Sequence, residues 1–212
     1  IRDADGNLIP PDLFIPIAEQ NGTINKLGEI VFKKVCLFIN NMDITSKGMS
    51  WINVNLSPIQ FMRIDLAERL QNILKQTGTD STLIHLEITE ENLKDDSLLI
   101  NQMETLRDAG FCFALDDYGK GYSNVARLRN CPFINVKIDM SLVWDYMKSP
   151  DELLPGVINV LSHLGFEITA EGIEDENMAN EIQKLGATYL QGYYYSKPLP
   201  MKDFAIKYLQ DT

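Results

Sequence analysis

Ile134-Asn135-Val136-Lys137-Ile138-Asp139 is the stretch that decides the fold, because its apolar and polar side chains alternate strictly. Successive side chains of a β-strand point to opposite faces, so the pattern predicts a strand with one apolar and one polar face. Similar apolar runs recur along the chain, and segments with helical spacing follow them. The predicted strands are residues 51–56, 83–89, 112–117, 134–139, 167–172 and 189–194. Repeated strand–helix units predict an α/β fold with a parallel sheet.

The chain is short for a closed α/β barrel, which is one of the folds that repeated strand–helix units can form. A complete eight-stranded α/β barrel takes about 250 residues, whereas this chain has 212. Two helices, near residues 13–19 and 26–40, precede the first predicted strand. The hydrophobic fraction of 45% suffices for one sizeable core, and no Pro/Gly/Ser-rich linker divides the sequence. We therefore expect one domain over residues 1–212.

Composition excludes several classes of function. The 30 acidic and 19 basic residues give a formal charge of −11, which argues against binding polymeric nucleic acid or an anionic membrane surface. The mean hydropathy is −0.12, and no secretory signal or membrane-spanning run is present, so we expect a cytoplasmic chain, whose parent protein could be anchored through other segments. The three cysteines form no C-x-x-C pair, and two histidines cannot build a histidine-rich metal site.

Polar side chains occupy the second face of the predicted strands and cluster at their carboxyl ends. For a single residue such as Asn53 or His85, a hydrogen-bonded polar core is an equally good interpretation. The set as a whole favours a functional site, because α/β enzymes place their chemistry at this end of the sheet. The residues at these end positions are Asn55, Glu87, Asp116, Lys137, Glu171 and Gln191.

The acidic members of this set suggest a metal site. Asp116 and Asp117 can both face it only if their strand ends or bulges there. If they converge with Glu87 and Glu171, their repulsion raises some pKa values unless cations bind between them. Carboxylate and amide oxygens select hard cations such as Mg²⁺ or Mn²⁺, and two such ions could clamp a phosphoryl displacement. Lys137 could orient the attacking water, accept its proton if its own pKa is lowered, stabilise phosphate charge, or form only a salt bridge.

The order of these motifs resembles that of EAL domains, which are cyclic di-GMP phosphodiesterases built on a modified α/β barrel. The likeness extends from about residue 6 to residue 200. Each motif is short, but six in the same order are specific. They are Asn55-Leu56-Ser57-Pro58-Ile59-Gln60, Leu86-Glu87-Ile88-Thr89-Glu90, Asp116-Asp117-Tyr118-Gly119-Lys120-Gly121-Tyr122-Ser123, Val136-Lys137-Ile138-Asp139, Ala170-Glu171-Gly172-Ile173-Glu174 and Gln191-Gly192-Tyr193.

The resemblance implies a role for each of these polar residues. Lys137 and Gln191 would act on the nucleophilic water, with Glu171 also catalytic, and Glu90 would steady the loop after Asp117. Asp139 and Glu174 would be substrate-binding or support positions. The implied metal-site residues are Asn55, Glu87, Asp116, Asp117 and Glu171.

The resemblance also implies a reaction and partners. The reaction is hydrolysis of one phosphodiester bond of cyclic di-GMP to linear pGpG, with two Mg²⁺ or Mn²⁺ ions as cofactors. A homodimer that pairs through residues 117–128 is expected, as are attached sensor or diguanylate cyclase domains.

The sequence departs from the family pattern at several positions. Lys120 replaces a threonine that is usual in the loop after the aspartates, and Leu142 stands where phenylalanine is common. The E-A-L triplet itself is missing, so the predicted fold is a modified TIM-type (β/α)8 barrel without its first two strands. The alternative function is an inactive receptor for cyclic di-GMP or for a protein partner. A glycoside hydrolase that uses Glu87 and Glu171 as acid and base is a third interpretation, but that reaction requires neither the double aspartate nor Lys137.

Overall fold

A parallel six-stranded sheet organises the chain. A computed structural model describes residues 1–90, 97–120 and 125–209. The strands lie side by side in chain order, and every neighbouring pair is parallel. They are β1 (Ile52–Asn55), β2 (Ile84–Thr89), β3 (Cys112–Tyr118), β4 (Phe133–Ile138), β5 (Glu167–Ala170) and β6 (Tyr189–Leu190). The predicted α/β architecture with six parallel strands is confirmed.

Helices connect the strands and cover one face of the sheet. In the described ranges they are α1 (Pro11–Gln20), α2 (Ile24–Met42), α3 (Pro58–Phe61), α4 (Leu66–Thr77), α5 (Ser97–Asp108), α6 (Val125–Leu128), α7 (Met140–Lys148), α8 (Leu153–His163), α9 (Glu176–Lys184) and α10 (Met201–Tyr208). The two helices predicted before the first strand are therefore present. None of the helices in the described part of the chain has the length and apolar character needed to span a bilayer.

Helix α4 shows how the sequence pattern produces the packing. Leu66, Leu70 and Leu74 recur every fourth residue, so they share one face of the helix, and all three are buried. The helix ends at Gly78, whose φ of 70° is the left-handed conformation that glycine adopts without strain. The buried face of α4 packs mainly against α2.

The apolar phase of the strands forms the core, with one exception. Leu86, Val136 and Ile138 are fully buried, as their alternation predicts. Ile134 is instead 37% exposed, although it lies on the apolar face of the predicted strand. The reason is a bulge: Phe113 pairs with Phe133 but Ala114 pairs with Asn135, so Ile134 has no partner in the register of β3 and β4. Phe133 takes the buried position instead.

The last two strands are shorter than predicted, because the chain turns sharply beyond each of them. Gly172 adopts a φ of 76° just after β5. After β6, Gly192 lies so close to Ile173 that a Cβ atom would stand 2.0 Å from the carbonyl oxygen of Ile173. Backbone hydrogen bonds then join the two turns: Ile173 donates to the carbonyl of Gln191 and Tyr194 to that of Ile173. The two strand ends are thus held together at the carboxyl edge of the sheet.

Candidate active site

A buried lysine lies among three carboxylates at the carboxyl ends of the central strands. The ammonium nitrogen of Lys137 is 2.9 Å from Oε1 of Glu87, 2.8 Å from Oδ1 of Asp116 and 2.8 Å from Oε1 of Glu171. The side chains of Lys137 and Glu87 are each 5% exposed, and those of Asp116 and Glu171 are each 16% exposed. We call these four residues the Lys137 cluster. Residues that are far apart in sequence therefore form one charged group.

The strand register explains how Glu87 and Lys137 enter this cluster. Both lie on the polar phase, on β2 and β4, which are the two strands that flank β3, and both are buried. Asn53, one strand away, donates a hydrogen bond of 2.7 Å to Oε1 of Glu87. Asn53 was predicted to lie on the polar face of its strand but was not assigned to the site. Its position two residues before Asn55 on the same phase was the available signal.

The double aspartate lies at a bulge in β3. Leu115 pairs with Val136 and Tyr118 with Ile138, so β3 contains one extra residue opposite β4. Asp117 adopts a φ of 59°, a left-handed conformation that is uncommon for a residue with a side chain. The bulge is the feature that was predicted to be necessary if the side chains of Asp116 and Asp117 are both to face one site. It lets Asp116 join the Lys137 cluster while Asp117 contributes to a second group of carboxylates.

That second group consists of Asp117, Asp139 and Glu171, and we call it the acidic trio. One carboxylate oxygen from each lies within 4.8 Å of the other two. Asp139 is buried and caps α7 by accepting a hydrogen bond of 2.9 Å from the backbone N–H of Ser141. Three convergent carboxylates form a donor set that suits a hard divalent cation. The residues present therefore fit the metal that the sequence predicts.

The loop after Asp117 is fixed from two sides. Oε2 of Glu90 accepts a hydrogen bond of 3.3 Å from the backbone N–H of Gly119. A Cβ atom on Gly119 would lie 2.2 Å from Cδ1 of Leu142, and the φ of this glycine is 97°. Glu90 thus contacts the loop that it was predicted to steady. Residues 121–124 of this motif, and with them part of the predicted dimer segment, lie outside the described residues.

The remaining predicted residues lie around this centre. Gln191 follows β6 and donates a hydrogen bond of 3.1 Å from its side chain to Oε1 of Glu171. Asn55 is exposed at the end of β1, in register with Glu87. Glu174 is exposed between β5 and α9. Asn55 and Glu174 belong to neither the Lys137 cluster nor the acidic trio.

The electrostatics keep Lys137 charged. Burial alone would lower the pKa of its ammonium, but Glu87, Glu171 and Asp116 outweigh burial and hold the pKa well above its ordinary value. Burial raises the pKa of Glu171, and Lys137 acts against that rise. Burial also raises the pKa of Asp117, and the neighbouring Asp116 adds to this effect. With its pKa raised in this way, Lys137 is placed to donate hydrogen bonds or to stabilise an anion.

Comparison with known proteins identifies the family of this site. The EAL domain family model matches residues 1–198. Uncharacterized protein y4lL of Sinorhizobium fredii is 34% identical over 200 residues, 91% of this chain and 23% of that protein. Cyclic di-GMP phosphodiesterase NbdA of Pseudomonas aeruginosa is 30% identical over 203 residues, 94% of this chain and 26% of that protein. A solved structure of the PaMucR phosphodiesterase with c-di-GMP superimposes with a TM-score of 0.86 at 27% identity, covering 96% of this chain and 83% of the other.

The chain belongs to the EAL domain family. Its six parallel strands form a half-barrel that corresponds to part of the TIM-type barrel of these domains. The chain spans about a quarter of the length of the curated relatives that it matches.

Proposed function

We propose that this chain belongs to a phosphodiesterase domain that hydrolyses cyclic di-GMP to linear pGpG with two bound Mg²⁺ or Mn²⁺ ions. The observation that carries the proposal is the convergence of the Lys137 cluster and the acidic trio on one edge of the sheet. The name of the relative NbdA and the complex of PaMucR support the choice of substrate. Because the curated relatives are about four times longer, attached regulatory domains are part of the proposal, as is pairing into a homodimer.

The proposed metal ligands are the oxygen donors of the site. Bound ions would supply positive charge for the phosphate and lower the pKa of a coordinated water. Glu171 belongs to both groups of carboxylates and so lies where the two ions would share a ligand. Asp139 lies in the acidic trio, which makes it a candidate metal ligand in addition to its predicted substrate role. Asn55 and Glu87 would complete the set from β1 and β2.

Lys137 and Gln191 have the donor groups that the reaction requires. The charged ammonium of Lys137 would hold the attacking water or the phosphate oxygens by donating hydrogen bonds. Gln191 donates to Glu171 and would help to orient the same water. Glu90 would act as a positioning residue, because it holds the backbone of the loop that follows Asp117.

The test is turnover of cyclic di-GMP by the intact parent protein, with and without Mg²⁺ or Mn²⁺, measured by chromatography of the pGpG formed. Glu87→Gln and Asp116→Asn should each reduce the rate by at least about a thousand-fold, since each removes a charged group at the reacting centre. Matched controls are Glu181→Gln and Asp145→Asn, which change exposed carboxylates of α9 and α7 in the same way. Near-normal rates in the first pair would refute the two-metal proposal. Retention of cyclic di-GMP without turnover would instead support the receptor alternative.

A further inference from the structure

Lys120 places a positive charge beside the acidic trio. Its ammonium nitrogen lies 3.7 Å from Oδ1 of Asp117. The Lys120 side chain is 62% exposed and that of Asp117 is 34% exposed, so the pair lies at the rim of the site. This pairing differs from that of Lys137, which is buried among its carboxylates. Lys120 can leave Asp117 for solvent at little cost, whereas Lys137 cannot.

The backbone determines where Lys120 lies. Its N–H donates a hydrogen bond of 3.3 Å to the carbonyl oxygen of Asp117, which closes a tight turn. The positive φ angles of Asp117 and Gly119 give this turn its shape. Glu90 holds the turn through the N–H of Gly119. The ammonium is therefore kept within reach of Asp117 by a constrained turn.

We propose that Lys120 competes with the metal ion for Asp117 and so sets the metal concentration at which the acidic trio is filled. This inference rests on the proposed function, because it takes the trio to be a metal site. A divalent cation between Asp117, Asp139 and Glu171 would meet the repulsion of the Lys120 ammonium a few ångströms away. The metal ion must displace the Lys120 ammonium from Asp117. Metal binding is weaker by the free energy of the ion pair that is lost.

The expected effect is moderate, because the pair is exposed. Removing the charge of Lys120 should tighten metal binding about two- to five-fold, the ratio that one exposed ion pair supports. The difference should shrink as salt is added, since salt screens charges at the protein surface.

The experiment is calorimetric titration of the chain with MnCl₂ in the absence of substrate. Lys120→Met should bind Mn²⁺ more tightly than the unmodified chain, and Lys120→Arg, which keeps the charge, should bind it equally. Lys148→Met is the matched control, because Lys148 forms a pair of the same spacing and distance, 3.7 Å, with Asp145 on α7. Its Mn²⁺ affinity should not change. Unfolding midpoints without metal would verify that all variants are folded.

The outcomes separate this inference from the proposed function. Equal Mn²⁺ affinity in Lys120→Met and in the unmodified chain would overturn the competition and leave the metal site intact. Mn²⁺ binding that Asp117→Asn does not weaken would overturn both the inference and the assignment of Asp117. Absence of Mn²⁺ binding in every variant would overturn the inference together with the proposed metal site.

Discussion

Replacing Lys137 with methionine removes the one cation of the Lys137 cluster and keeps nearly the same side-chain volume. Glu87, Asp116 and Glu171 then face one another in a buried region without a counter-charge. Removing one partner of a buried ion pair costs about 3–5 kcal/mol. We therefore expect the free energy of unfolding of metal-free protein at pH 7 to fall by about that amount. For a chain of this size the unfolding midpoint should drop by about 6–20 °C.

Two further measurements make the expectation specific. Burial raises the pKa of Glu171, so protonation of this carboxylate should relieve part of the repulsion, and the loss of stability should shrink as the pH falls through that raised pKa. Mg²⁺ should raise the midpoint of the variant more than that of the unmodified chain, because it replaces the missing charge.

The assay is urea or thermal unfolding with EDTA, and then with Mg²⁺. Lys184→Met is the control, because Lys184 forms an exposed pair with Glu181 on α9. Lys184→Met should lower the free energy of unfolding by less than about 1 kcal/mol. An equally small loss in Lys137→Met would refute the view that Lys137 balances the buried carboxylates.

Three further predictions concern the site and its surroundings. Gly192→Ala should destabilise the chain by roughly 1–3 kcal/mol, because the new Cβ meets the backbone of Ile173. Gly156→Ala is the control: this glycine lies within α8 with open space around it, so the substitution should stabilise the chain by about 0.5–1 kcal/mol. Equal effects of the two substitutions in urea unfolding would contradict this reasoning. Asp139→Asn should keep the cap of α7, because asparagine is also a good capping residue, and the thermal unfolding midpoint should therefore not change. It should weaken Mn²⁺ binding in calorimetry, and an unchanged Mn²⁺ affinity would exclude Asp139 as a metal ligand. Burial lowers the pKa of His85 to about 4, so stability should fall by about 2 kcal/mol between pH 7 and pH 5 as the unfolded chain takes up the proton. His85→Phe, which keeps an aromatic ring, should lose less over that range, and an identical pH profile would contradict the assignment.

The sequence predicted the strands because alternation depends on local side-chain chemistry. It could not predict the bulge at Ile134, since alternation gives the phase of a strand but not its register against a neighbour. The short β6 also escaped prediction, because the close approach of Gly192 to Ile173 is a tertiary contact.

The sequence predicted which residues belong to the candidate site better than it predicted how their side chains contact one another. The carboxyl-end positions of Glu87, Lys137 and Glu171 could be read from the strand pattern. That Lys137 contacts three carboxylates at once depends on side-chain distances that no sequence motif contains. Asp139 likewise required the structure, because only the start of α7 brings its carboxylate to Asp117.

The excess of carboxylates around Lys137 has a kinetic consequence. They outnumber the ammonium three to one, and Asp117 and Asp139 add further negative charge nearby. A metal-free centre of this kind attracts divalent cations and would repel the phosphates of the proposed substrate. Binding is therefore expected to be ordered, with metal entering before nucleotide. For the proposed substrate, cyclic di-GMP, the apparent KM should then fall as the Mg²⁺ concentration rises, so the availability of the ion would control how readily the substrate binds.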